Sequence, residues 1–320
     1  MRDNRGQFLI IAVLIVVVIL LTSLLLSYSF GSTYRRMRAQ YASHMISNIA
    51  QDLKRIALED LAKTTQHYSE TGDIDSSRLW AIQNLSVWSD ASLLAHSDKG
   101  LSLELGVEQE KVIYDNVLGT LRVPVATTPA EAYEAKSWVK MWWYSRRAIS
   151  LIYVEASIGS STLGLGPVYS EALYMLNVTS SKPEDLGSDR YKIRLHAFKE
   201  GGRPTQLSVE NITVLYFHAT LMDWTEAPSS EMSLDDYGNG SYDLYVYMPD
   251  AYKIINPNEE ILIPVLLKMA DSRGVYVELF PSYNRIEAII EKDSRLDLNL
   301  KYEIYVVCLL YTSPSPRDRG

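Results

Sequence analysis

The sequence predicts an α+β chain in which an N-terminal transmembrane helix continues as a stalk helix. An α+β middle region and a C-terminal antiparallel β-sandwich follow. Three observations carry this. Residues 8–26 (FLIIAVLIVVVILLTSLLL) hold no charge. Behind them, apolar residues recur every three or four positions as far as Leu61, the period of one helix face. From residue 190 on, short runs of alternating apolar and polar residues are separated by Gly, Pro, Asn and Asp, the pattern of successive strands. The implied divisions are 1–30 (leader and transmembrane helix), 31–72 (stalk), 73–187 (α+β), 188–307 (sandwich) and 308–320 (a tail of foreign origin).

At 1.5 Å per residue the apolar run crosses a hydrocarbon core of about 30 Å. It is longer than the apolar region of a cleaved secretory signal, and helix-compatible sequence continues beyond it. The chain is therefore expected to be single-pass in a cell membrane, with the lipid bilayer as its first partner. The flanks disagree on orientation. Arg2 and Arg5 precede the run, whereas Arg35, Arg36 and Arg38 follow it, so basic count favours a cytoplasmic C-terminal part. Four N-x-Ser/Thr sequons, at Asn84, Asn177, Asn211 and Asn239, all lie behind the helix and are candidate glycosylation sites only on the translocated side. Long domains translocate largely regardless of charge, so the C-terminal part is expected to be extracytoplasmic.

The stalk stripe consists of Tyr34, Met37, Tyr41, Met45, Ile49, Leu53, Ile56 and Leu61. Gly72 is its stop signal. A second helix is expected over 75–96, with Leu79, Ile82, Leu85, Trp88, Ser92 and Leu93 on its inner face. GLSLELGV, EKVIYDNV and TLRVPVAT read as strands. Thr128 and Pro129 resemble a cap and first turn, predicting a helix that carries Trp138, Trp142 and Trp143. With Tyr144 these residues could form an exposed carbohydrate or membrane-interface patch, but Trp138 and Trp142 stand one turn apart and are expected in the core. SLIYVEASIG and PVYSEALYMLNVTSS read as a strand pair joined by SSTLGLG, and LNVTSSKPEDLGSD as a domain boundary.

The C-terminal strands are YKIRLHAF, SVENITVLYFHA, YGNGSYDLYVYM, ILIPVLLKMAD and VYVELFPSY, with an Asn239-Gly240 hairpin signal. KEGGRPTQLSVENITV and DYGNGSYDLYVYMPD resemble the Ig-like repeats of bacterial and archaeal surface proteins. That resemblance implies an Ig-like fold shared by spacers, adhesins and filament units. The final stretch, CLLYTSPSPRDRG, back-translates in frame into a transposase adapter used for sequencing libraries. It is set aside from the fold, and the natural chain is expected to continue past Val307.

Composition narrows the chemistry. The chain has 31 Lys+Arg against 39 Asp+Glu, a net charge of −8, which argues against nucleic acid as a partner. The only cysteine is Cys308, in the adapter-like tail, so no disulfide, cysteine nucleophile or Cys-based zinc site is expected elsewhere. His44, His67, His96, His196 and His218 show no ligand spacing. No P-loop, Rossmann, G-x-S-x-G or H-E-x-x-H motif occurs. Residues 235–240 imitate a calcium loop, but Tyr237 takes a ligand position and Val246 stands where the bidentate Glu belongs, so a hairpin turn is expected. Gly164 and Gly166 sit between strands and do not open a helix. Glu259 and Glu260 read as solvated loop residues beside Pro257. No enzyme, metal or cofactor is therefore expected.

The opening MRDNRGQFLIIAVLIV resembles the class III signal of archaeal type IV pilin-like proteins. That resemblance implies a prepilin peptidase cut between Gly6 and Gln7 and an apolar helix that then joins a filament or stays in the membrane. Many pilins carry Glu five residues after the cut, where this chain has Ile11. The expected function is a membrane-anchored cell-surface structural or adhesion protein, acting through self-assembly or contact with other surface proteins. Two alternatives remain: an uncleaved single-pass surface binding protein, and a tethered enzyme whose catalytic part follows Val307.

Overall fold

The longest element is a single 67-residue helix, α1 (Arg5–Thr71). In this computed structural model the described residues are 5–105, 111–115, 119–123, 137–144, 147–255 and 261–281. No proline interrupts α1, and its interior glycine, Gly31, has open space where a Cβ would stand. The helix stops where expected: Gly72 adopts φ +70° and its N–H donates to Tyr68 O at 2.8 Å. Asp73 then starts α2 (Ile74–Ala95), its Oδ1 accepting Ser76 N–H at 3.1 Å. The two helices run antiparallel, since Asp60 meets Asn84 and His67 meets Ser77.

The strands follow in chain order. They are β1 (Leu101–Leu105), β2 (Lys111–Asp115), β3 (Gly119–Val123), β4 (Ser137–Tyr144), β5 (Arg147–Ser160), β6 (Leu165–Ser180), β7 (Glu184–Gly187), β8 (Arg190–Lys199) and β9 (Arg203–Pro204). Next come β10 (Leu207–His218), β11 (Asp223–Glu226), β12 (Ser233–Asp236), β13 (Ser241–Tyr247), β14 (Ile254–Ile255), β15 (Ile261–Leu262), β16 (Val265–Asp271) and β17 (Tyr276–Leu279). Among the described residues every pairing is antiparallel. A nine-stranded sheet has the backbone order β1-β5-β6-β8-β13-β12, with β4 also on β5 and with β7 and β9 on β8. A second sheet has the order β11-β10-β16-β17, and two small pairs complete the set.

One continuous core joins α1, α2 and the two larger sheets, and a smaller cluster of Phe217, Ile254, Leu262, Leu266 and Phe280 lies apart from it. β5 supplies Ile152, Val154, Ala156 and Ile158 at the two-residue period of a strand face, and β8 supplies Tyr191, Ile193, Leu195 and Ala197 in the same way. Val214, Val265, Leu267 and Val277 come from the second sheet, and Met45, Ile49, Leu53 and Leu61 come from α1. A few polar contacts fix α1 against the strands. Tyr276 N–H of β17 donates to Thr65 Oγ1 of α1 at 3.0 Å, and Ser150 Oγ of β5 in turn donates to Tyr276 O at 2.6 Å, tying β17 to β5.

Three expectations are corrected. The stretch read as a Trp-bearing helix is the strand β4, and Trp138, Trp142 and Trp143 pair with Tyr153, Ile149 and Ala148 of β5. A run as rich in aromatic residues as SWVKMWWY fits a sheet position, and β5 pairs with it along its whole length. That signal, at Thr128 and Pro129, lies outside the described residues. On α2 the buried face is Ser77, Ala81 and Leu85, with Trp88 and Leu93 packed beside it, while Leu79 points outward. Finally, the division at 187/188 falls inside one sheet and one core, because β6 pairs directly with β8 from Leu176↔Lys199 to Ser180↔Leu195. Ser188 and Asp189, at the end of the turn-rich stretch LNVTSSKPEDLGSD, make a turn with positive φ at both positions.

Candidate functional site

The feature that sets this molecule apart is the division of α1. From Val13 to Leu26 its large apolar side chains are exposed, and the most apolar 18-residue window has a mean hydropathy of 2.6 with none of it buried. The segment is long and apolar enough to cross a membrane. Its hydroxyl at Thr22 is satisfied within the helix by Val18 O and Ile19 O, both at 2.9 Å, as a lipid environment requires. Gly6 and Gln7 lie in the first helical turn.

A collar follows, in which Tyr28, Phe30, Tyr34, Met37 and Tyr41 stay exposed together with Arg35, Arg36 and Arg38. The packed half starts at Ala42, and from there Met45, Ile49, Leu53, Ala57 and Leu61 enter the core. Of the eight residues of the predicted stripe, the last five pack against the chain's own body, and Tyr34, Met37 and Tyr41 are exposed.

Where α1 meets α2 the contact is polar. Asp60 is fully buried, and Asn84 Nδ2 donates to its Oδ1. Among the described residues its Oδ2 and the neighbouring Thr64 Oγ1 have no hydrogen-bond partner. Burial is the main cause that pushes the Asp60 carboxyl up to about 7, and the Asn84 hydrogen bond only partly offsets it. Asp60 was not singled out from the sequence. The available signal was an acid and a threonine at helical spacing behind Leu53 and Ala57.

Two further charge clusters are complete and structural. Arg273 donates from Nε to Asp271 Oδ2, from Nη1 to Glu200 Oε2 (both 2.8 Å) and from Nη2 to Met175 O (2.7 Å). Burial alone would lower its pKa, but the charges of Asp271 and Glu200 hold it above the ordinary arginine value. This cluster ties β6 to the β16–β17 turn. On the nine-stranded sheet, Arg194 clasps the directly opposite Asp243 at 2.8 and 3.0 Å, and Tyr237 Oη donates to Asp243 Oδ2 at 3.0 Å. Arg194 holds the Asp243 carboxyl below the usual carboxylate range.

The histidines are spread over separate elements. His67 Nδ1 bonds Ser77 Oγ at 2.8 Å, His196 Nδ1 bonds Ser241 Oγ at 3.0 Å, and His218 Nδ1 accepts Leu221 N–H at 3.3 Å. Among the described residues no His, Cys, Asp and Glu side chains converge as a metal site. Residues 233–247 form the β12–β13 hairpin, with Gly240 at φ +83° and Asn239 Oδ1 accepting Ser241 N–H at 3.0 Å. Gly164 and Gly166 belong to the β5–β6 hairpin. Glu259 and Glu260 lie outside the described residues.

The four sequons fare differently. Asn211 and Asn239 are exposed, and Asn84 is half-buried and engaged with Asp60. Asn177 is fully buried in β6, where its Oδ1 accepts Arg147 Nε–H at 3.4 Å, so this fold leaves no room for a glycan on it. No protein-family model matches the chain, and no curated protein or solved structure does either.

Proposed function

We propose that this chain is a single-pass cell-surface protein with a structural or adhesive role, a pilin-like subunit processed between Gly6 and Gln7. In this reading the apolar part of α1 lies in the bilayer, the collar leads out of it, and the strand-rich body stands on the extracytoplasmic side. In this reading the sheet β11-β10-β16-β17 and the β8-β13-β12 end of the nine-stranded sheet are the Ig-like part of that body, with Asn211 and Asn239 as accessible glycan acceptors.

The observation that carries the reading is the sharing of one unbroken helix between an uncovered apolar segment and the core of a β-rich body. Any pull on the body passes into the membrane segment through continuous helical hydrogen bonds, with no flexible linker between them. Surface proteins that bear load or assemble through their membrane helix need that coupling.

The test is the mature N-terminus. The chain would be expressed with a prepilin peptidase, recovered from membranes and analysed by intact mass spectrometry. A start at Gln7 supports the pilin-like reading. A start at Met1 or Arg2 removes it and leaves a permanently anchored surface protein that binds a partner.

A further inference from the structure

Charge is distributed unevenly along this chain. Residues 1–51 carry Arg2, Arg5, Arg35, Arg36 and Arg38 against the single acid Asp3, a net +4. The remainder holds 26 of the 31 basic and 38 of the 39 acidic residues, a net −12. No carboxylate occurs between Asp3 and Asp52, so none stands within a helical turn of Arg35, Arg36 or Arg38 on their own helix. All three arginines are exposed, and among the described residues no ion pair engages them.

Their placement matches a bilayer boundary. At about 100° per residue, Arg35, Arg36 and Arg38 span roughly 160° of α1 with Tyr28 among them, and Phe30 and Tyr34 lie on the opposite side, so together they ring the helix. The three aromatics are 77%, 72% and 63% exposed. Helical side chains lean toward the N-terminus, here toward the apolar segment. Arg35 lies nine residues past Leu26, about 13 Å along the axis, and its long side chain reaches back over roughly one turn. That brings the Arg35 guanidinium to about 8 Å past the end of the apolar run, at the outer part of the headgroup layer, with Arg36 and Arg38 about 1.5 and 4.5 Å further out. Amphipathic aromatic rings prefer the same layer. Arginine donates to phosphate in a two-pronged geometry.

We infer that the collar formed by Tyr28, Phe30, Tyr34, Arg35, Arg36 and Arg38 binds the headgroups of anionic phospholipids in the leaflet from which α1 emerges. The inference rests on the membrane-anchored reading and adds a lipid class to it. The arginines set the depth of the helix and give the acidic body an oppositely charged base.

The full chain would be reconstituted in phosphatidylcholine bilayers with trace spin-labelled phosphatidylglycerol or phosphatidylcholine, and the motionally restricted fraction of each label measured. Phosphatidylglycerol is expected to associate roughly fivefold more strongly at low ionic strength. The advantage is expected to vanish in R35Q/R36Q/R38Q and at about 1 M salt, and to survive in R35K/R36K/R38K. Equal association of both lipids, or unchanged selectivity in the glutamine variant, overturns the collar proposal. Loss of the wild-type chain from the bilayers in an alkaline carbonate wash would instead overturn the anchored reading beneath it.

Discussion

The two halves of α1 share one backbone geometry and face different solvents. Between Val13 and Tyr41 the helix shows leucine, valine and aromatic side chains to its surroundings, whereas from Ala42 to Thr65 its apolar stripe is covered by strands and α2. Both halves are apolar at helical spacing, so apolarity alone does not say what a helix packs against. What differs is the opposite face. From Val13 to Leu26 the helix is apolar nearly all round, whereas in the inner half Gln51, Asp52, Lys54 and Arg55 mark a wet side. Only the inner half therefore buries its side chains permanently in protein.

The comparison is tested first by truncation. Leu53→Ala removes a fully buried side chain and is expected to cost about 2–5 kcal/mol in denaturant unfolding of the body, whereas Leu20→Ala leaves that transition unmoved. Equal effects would mean that the outer half is also packed in protein.

A second test uses the buried carboxyl at the inner half. Asp60 has its folded pKa raised from 3.8 to about 7. The folded state therefore holds this proton more tightly than the unfolded chain does. Its contribution favours folding below about pH 4, weakens as pH rises from 4 to 7, and stays unfavourable above 7. Roughly three pH units correspond to about 4 kcal/mol. Asp60→Asn is expected to approach that gain at pH 8, give little at pH 4.5 and flatten the slope between. Urea midpoints at the two pH values decide it, and an unchanged slope would show that Asp60 is hydrated in solution.

Smaller effects follow in the outer half. Leu20→Arg places a charge at the middle of the apolar run and is expected to disfavour membrane insertion by about 3 kcal/mol, read as a larger carbonate-extractable fraction, with the body's unfolding unchanged. Least of all, Met37→Ala is expected to stay within about 0.5 kcal/mol, whereas Met45→Ala, two turns further on, costs more. A large cost at Met37 would reveal an intramolecular partner for the collar.

Much of this architecture is legible from local patterns. The length of α1 and its stop at Gly72 follow from an absence of proline and one left-handed glycine. The β5–β6 and β12–β13 hairpins follow from strand runs bracketing glycine-rich turns. Membrane-compatible length follows from composition alone. In each case the deciding interaction joins residues close together in the chain.

What needed the tertiary structure depended on distant partners. SWVKMWWY is a strand because β5 offers it a full ladder of backbone hydrogen bonds. The supposed boundary at 187/188 lies inside one sheet because β8 returns to β6. Asn177 reads as an exposed acceptor and is enclosed, and Asp60 reads as a helix-surface acid and is buried under α2. The point where the stripe of α1 passes from bare to covered is likewise invisible in its own periodicity. Local sequence specifies which side of a helix or strand is apolar, and only the assembled strands determine how much of that side is removed from solvent.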